Sequence, residues 1–256
     1  MKRRMAWETV LGIAIVAIGS QYSLQAALTE ELHKTFPIEA DGRVSVGNVN
    51  GAVRISAWDR NEVQVDAVKR ARTQEALDEA RIVIDSSSGS ISIRTKHPDS
   101  HRHDSASVEY TVKVPRRARL WGIDTVNGAV EVSGVSGDVK ISSVNGPVTA
   151  KDLAGDARLT TVNGTVDASF EKLQSAASVS LNTVNGKITL SLPDNSNGEI
   201  DANTVHGGIA TDFGMFARRS LKGRIGSGGG AHIKLNTVNG GIQVLSTSGG
   251  RRTLHT

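Results

Sequence analysis

The densest group of metal-ligating side chains is His97, His101 and His103, set with Asp99 and Asp104 in the run KHPDSHRHD. Imidazoles beside carboxylates suit Zn²⁺ or Ni²⁺. Pro98 and Ser100 give the same run the character of a turn, and a solvated loop joining two strands is the favoured reading. A second candidate is acidic. Glu131, Thr149 and Asp167 share one outward register of the repeat described below. Two repeat units separate the carboxylates by roughly 10 Å, beyond the about 6.5–9.5 Å of an inverting glycosidase pair. A third is basic. Lys140 and Arg158 fall at equivalent points of adjacent units, about 5 Å apart, and could hold a phosphate or a uronate. Residues 226–230 (GSGGG) lack the aspartate of calcium-binding nonapeptides and the Lys-Ser/Thr of a phosphate loop, so they read as a bend. No Ser-His-Asp grouping can be placed by spacing. The expectation is a non-enzyme with no catalytic residue, no metal and no cofactor.

The elements that position these side chains follow from a repeat. Gly51, Gly128, Gly146, Gly164, Gly186, Gly207 and Gly240 each close a V-[N/H]-G triplet. Counting back from the Val, apolar or small residues recur at −5 and −3, from Val44/Val46 and Trp121/Ile123 through Val139/Ile141 to Ile233/Leu235. Counting forward from the Gly, they recur at +2 and +4, with Thr211 the clear departure. Period-two alternation on both sides of a tight turn means strand, turn, strand. Asn-Gly usually signals a hairpin. Here Gly128, Gly137, Gly146, Gly155 and Gly164 lie nine residues apart. Two nine-residue units make an 18-residue coil that stacks on its copies at the inter-strand spacing. Val126, Val144 and Val162 are expected to form an inward apolar column. Asn50, Asn127, Asn145, Asn163, Asn185, His206 and Asn239 are expected to form a turn ladder, with the glycines supplying conformations a Cβ forbids. His206 is read as a bend residue that substitutes for Asn.

Later coils carry insertions. The longest contains Phe213, Phe216, Arg218 and Arg219. This 212–230 loop is either a contact element or a cover for the end of the core. Between Gly51 and Gly128 the texture changes to strand-like alternation with a short helical stretch, read as a β-rich cap. The expected organisation is 1–26 signal peptide, 36–118 cap with the first repeat, 119–246 solenoid and 247–256 tail.

Lys2, Arg3 and Arg4 precede a short apolar run at 10–18, and Ala26 offers a cleavage point. That run is about half of the roughly 20 residues needed to cross a bilayer, so no span is expected after cleavage. Without the leader the formal charge falls from +4 to +2, which argues against a nucleic-acid partner. The chain has no cysteine, so neither disulfides nor a lipidated cysteine arise.

The run Gly51 to Asp59 (GAVRISAWD), then EVQV at 62–65, Val114-Pro115 and the Val-Asn-Gly series resemble the DUF4097 family of adhesin-like β-strand-repeat proteins, over about residues 36–246. The resemblance implies export and a β-solenoid, and brings no catalytic residues. The fold expected is an all-β parallel β-solenoid, right-handed by the crossover rule. The function expected is an exported adhesin-like structural or binding protein, periplasmic, surface-bound or secreted. Its partner would be an envelope glycan or another envelope protein. An envelope-stress accessory and a polysaccharide-active enzyme are the alternatives.

Overall fold

β-Branched residues alternate with polar ones on both sides of each corner, so strand follows strand almost without interruption. The computed structural model describes residues 27–96, 106–227 and 229–247. The expected leader at 1–26, the histidine-rich run at 97–105 and all but the first residue of the expected tail lie outside the described residues. The first elements are β1 (Leu28–Pro37), β2 (Arg43–Gly47), β3 (Val53–Trp58), β4 (Glu62–Ala71), α1 (Gln74–Glu79), β5 (Arg81–Ser86), β6 (Ser90–Lys96) and β7 (Ser107–Pro115). Then come β8 (Arg119–Asn127), β9 (Val130–Ser133), β10 (Val139–Asn145), β11 (Val148–Leu153), β12 (Ala157–Asn163), β13 (Val166–Phe170), β14 (Ser178–Asn185) and β15 (Ile188–Leu192). The last are β16 (Gly198–His206), β17 (Ile209–Thr211), β18 (Phe216–Ala217), β19 (Ser220–Ile225), β20 (Ala231–Asn239) and β21 (Ile242–Ser246).

Each repeat sends the strand before its corner into one sheet and the strand after it into another. Sheet A has 11 strands, in the order β1-β4-β7-β3-β9-β11-β13-β15-β21-β17-β18. Sheet B has 10, in the order β19-β16-β20-β14-β12-β10-β8-β2-β6-β5. Neighbouring coils pair in parallel, Ile141 beside Leu159 in sheet B and Val148 beside Val166 in sheet A. The result is an all-β, mostly parallel, solenoid-like stack of two unclosed sheets. Ile141, Leu159, Leu181 and Leu235 from sheet B and Val148, Val166, Ile188 and Ile242 from sheet A are buried in one core cluster that runs from Ile38 to Val244. Burying each such side chain contributes about 1.5–3 kcal/mol.

The corner valines do not face inward. Val126, Val144 and Val162 are 38–40% exposed. Parity is the reason: if −5 and −3 are buried, −1 is buried too and the Val must point out. The −1 residues Thr125, Ser143, Thr161, Thr183, Thr204 and Thr237 are the buried ones. Four of these hydroxyls donate to a corner carbonyl of the neighbouring coil, as Thr161 Oγ1 does to Gly146 O at 3.0 Å and Thr183 Oγ1 to Gly164 O at 2.9 Å. Trp121 is also outward. The ladder of β8 against β10 shifts at Lys140/Ile141, Gly122 takes φ +112°, and Leu120 fills the core position instead.

The coils do not stack in chain order. β20 and β21 pair with β14 and β15 on one side and with β16 and β17 on the other, so the Gly240 coil lies inside the Gly207 coil. The first end mirrors this. The Gly51 coil, β2 and β3, is sandwiched between β8/β9 and a further parallel layer made by β6 and β7. The stack then ends in antiparallel strands: β5 on β6 and β4 then β1 at the first end, β19 on β16 and β18 on β17 at the other.

Candidate functional site

Outside the core, sheet B presents one residue per strand in a straight row. Strand pairing sets Trp121 beside Lys140, Lys140 beside Arg158, Arg158 beside Ser180 and Ser180 beside Lys234. The row continues from Lys234 to Asp201 and Lys222. Beside it runs a second row of Ser178, His232, Glu199 and Arg224. Lys140, Arg158, Ser180, Asp201 and Lys234 all occupy position −4 of the repeat, opposite in parity to the buried −5 and −3.

Trp121 is 59% exposed. The Arg43 guanidinium and the Lys140 ammonium lie 5.8 Å and 5.9 Å from its ring centre. A depression of about 300 Å³ spans Trp121, Lys140 and Arg158, with Asp138 and Asp156 on its margin. A second, of about 750 Å³, runs on through Arg158, Ser180, Lys234, Lys222 and Arg224. The two share Arg158, Ser178 and Ser180, so they form one shallow track across the strands. Lys222 reaches Asp201 at 3.8 Å and His232 reaches Glu199 at 4.0 Å. Among the described residues Lys140, Arg158 and Lys234 form no ion pair. An exposed indole face accepts the C–H face of a sugar ring, and cations set one strand spacing apart accept carboxylate, sulfate or phosphate groups.

The acidic row lies on the outer face of sheet A. Glu131 is engaged by Arg54 at 3.7 Å, and Arg54 also reaches Glu109 at 3.7 Å. Thr149 separates Glu131 from Asp167 in register. Glu131 is thus paired with a guanidinium, and two strand spacings separate it from Asp167. No group of three or more potential metal ligands occurs among the described residues.

At the corners, Asn127, Asn145, Asn163, Asn185 and Asn239 each donate Nδ2 to Oδ1 of the preceding rung, beginning at Asn50, over 2.7–2.9 Å. His206 stands opposite Asn239 as the last rung. A Cβ on Gly128, Gly164, Gly186, Gly207 or Gly240 would lie within 2.2 Å of a carbonyl oxygen in the adjacent coil. Of the seven, only Gly51 and Gly146 have positive φ. Close approach between coils, more than backbone conformation, therefore excludes side chains here. In the 212–230 loop, Phe213, Met215 and Leu221 pack against the core, whereas Phe216 is 80% exposed and Arg218 and Arg219 are exposed.

Two further polar groupings fix the first end. Thr95 Oγ1 donates to Asn48 Oδ1 at 3.0 Å and so accepts from the Tyr110 hydroxyl at 2.7 Å. Burial pushes the Tyr110 phenol up to about 12. Trp58 donates Nε1–H to Glu62 O at 2.8 Å, and Asp59 accepts from Arg116 Nε at 2.6 Å. That bond and the guanidinium charge hold the Asp59 carboxyl below its ordinary range.

Sequence reading reached Lys140 and Arg158 but missed Trp121, Lys234, Lys222 and Arg224. The −4 column could have found Lys234. Trp121 needed the bulge at Gly122, and Lys222 and Arg224 needed the reordered coils.

The model of the Toastrack DUF4097 family matches residues 38–245. No curated protein matches the sequence. Among solved structures, the fold is similar to that of a Clostridium sporogenes protein provisionally named for cell adhesion, with TM-score 0.53 and 14% identity, over 86% of this chain and 100% of that one. A Bacteroides fragilis protein provisionally named an adhesin gives TM-score 0.44 and 12% identity, over 85% of this chain and 97% of that one. At 14% identity the likeness to the Clostridium sporogenes protein concerns the fold alone.

Proposed function

This chain belongs to the Toastrack DUF4097 family, and on that footing we propose that it is an exported, adhesin-like binding protein of the cell envelope that holds an acidic glycan on the outer face of sheet B without catalysis. One observation carries the reading: the exposed Trp121 ring, flanked by Arg43 and Lys140, begins a track that continues through Arg158 to Lys234. A ring for stacking and a ladder of cations for carboxylates are complementary to a chain of uronate-like sugars. The basic residues at 2–4, the apolar run at 10–18 and Ala26 support export. Among the described residues no helix is long and apolar enough to cross a membrane. The finer architecture, a right-handed coil of about 18 residues, is supported by the parallel crossovers between Gly128 and Gly164.

The test is calorimetric titration with oligogalacturonate and with a neutral oligosaccharide of equal length. The acidic ligand binds, and its affinity falls as salt rises. Trp121→Ala weakens binding about tenfold, the loss expected of one stacking aromatic. Lys140→Ala with Arg158→Ala weakens it further and flattens the salt dependence. Equal binding of the neutral oligosaccharide, or unchanged affinity in both variants, overturns the proposal.

A further inference from the structure

Three of the four sheet edges are short. β18 has two residues, and β5 and β19 have six each. The fourth, β1, has ten residues and, among the described residues, pairs with β4 on one side only. A long edge strand leaves a row of backbone donors and acceptors available to another chain. Its side chains are held in place from within. Glu30 accepts from the buried Lys69 ammonium at 2.7 Å, which also donates to Leu77 O and Ala80 O near the end of α1. His33 is paired with Asp66. Leu32 and Phe36 rest half-buried on the core beside Ile82 and Ile84 of β5, around a cleft of about 450 Å³.

The sequence of β1, LTEELHKTFP, is complementary to itself in one antiparallel register. Centred on Leu32, that register sets Leu32 against Leu32, Glu30 against Lys34 and Leu28 against Phe36 on one face. It sets Glu31 against His33 and Thr29 against Thr35 on the other. A slip of one residue places Leu32 opposite His33 or Glu31, and a slip of two places Glu31 or His33 against its own copy. Opposite charges across a strand pair stabilise it and like charges destabilise it.

We propose that β1 is a self-association edge, through which two copies of this chain join their A sheets about a two-fold axis at Leu32. The pairing extends sheet A across both molecules, and each copy brings Leu28, Leu32 and Phe36 to the partly apolar cleft of the other. Glu30 keeps its bond to Lys69 through one oxygen and meets the second copy's Lys34 with the other. This inference does not depend on the glycan reading, since the track lies on sheet B.

The absence of cysteine permits a geometric test on the full chain. In the proposed register the two Cα atoms of residue 32 lie about 4.5–5.5 Å apart, within disulfide range. Leu32→Cys therefore gives a covalent dimer under mild oxidation. Thr29→Cys does not, because its two copies stand roughly 20 Å apart; association through the apolar run at 10–18 would make no such distinction. By sedimentation, Lys34→Glu weakens self-association about tenfold or more by facing Glu30 with a like charge. Mixing Lys34→Glu with Glu30→Lys restores a mixed dimer, because both cross-strand pairs become opposite again. A wild-type chain that stays monomeric at high concentration overturns the proposal. So does equal cross-linking of the two cysteine variants, or dimerisation indifferent to Lys34→Glu. Exchange protection, in a monomer, of the β1 amides that point away from β4 would equally overturn it.

Discussion

Gly164→Ala isolates what the corner glycine does. The added methyl carbon would sit 2.2 Å from Gly146 O and 3.0 Å from Pro147 N, where ordinary contact begins at 3.4 Å. Both are backbone atoms, so no side chain can swing away. The coil cannot simply retreat either. Gly164 N donates to Asn185 O at 3.0 Å on one side, while Asn163 O accepts from Gly146 N at 2.9 Å on the other. Opening the gap strains that bond, the Val148 N to Thr165 O bond beside it and the Thr161 hydroxyl on Gly146 O. Three weakened hydrogen bonds at about 1 kcal/mol each give a loss of about 3 kcal/mol, the upper range for overpacking. Asn163→Ala is the comparison. It removes two exposed ladder bonds, to Asn145 and from Asn185, and costs about 1 kcal/mol because water replaces them. Urea denaturation followed by far-ultraviolet circular dichroism reads both. The reasoning is refuted if the glycine variant loses no more stability than the asparagine variant.

Ser143 occupies a Thr position, and its buried hydroxyl has no partner among the described residues. Ser143→Thr should raise the urea midpoint, by about 1 kcal/mol in stability, if the threonine hydroxyl settles on Gly128 O as Thr161 does on Gly146 O; a lower midpoint counts against it. Tyr110 makes the fold sensitive to alkali. Its folded pKa of about 12 lies above the ordinary 10.0, so the unfolded chain loses this proton first and stability declines as pH rises from about 10 to 12, by about 3 kcal/mol. Tyr110→Phe should flatten that decline in denaturant midpoints taken across the window, and an unchanged slope would show that other groups control it. Ending the chain after residue 230 removes β20 and β21, and with them the parallel neighbour that joins β14 to β16. Limited proteolysis should then cut throughout residues 178–226, whereas an intact fragment there would contradict the interleaved order.

The parity of the repeat is legible in the sequence and turns the corner valine outward, against the inward column its apolar type implies. The apolar type of Val144 suggested a core position. Its place one step beyond the buried Ser143 rules that out, and the packed −1 hydroxyls carry the structural role instead. The basic pair on sheet B was legible because position −4 repeats with the coil. The aromatic at its head was hidden because Gly122 inserts one residue and exchanges Trp121 with Leu120 in the core.

The sequence by itself determined the strands, the corners, the asparagine ladder and the coil length of the middle repeats. All of these depend on interactions between residues of one coil and its identical neighbour, so a local pattern suffices. Only the tertiary structure decided which coil lies beside which at the two ends. The Gly207 and Gly240 coils carry the same template, and either could follow the Gly186 coil as far as local chemistry is concerned. The placement is settled by the long connection through β18 and β19, whose antiparallel pairing on β17 and β16 makes the Gly207 coil the outer one and leaves its inner side for β20 and β21. That reordering brings Lys234 next to Ser180 and gathers the basic track, and at the other end the added β6–β7 layer and the antiparallel β4 leave β1 as the exposed edge.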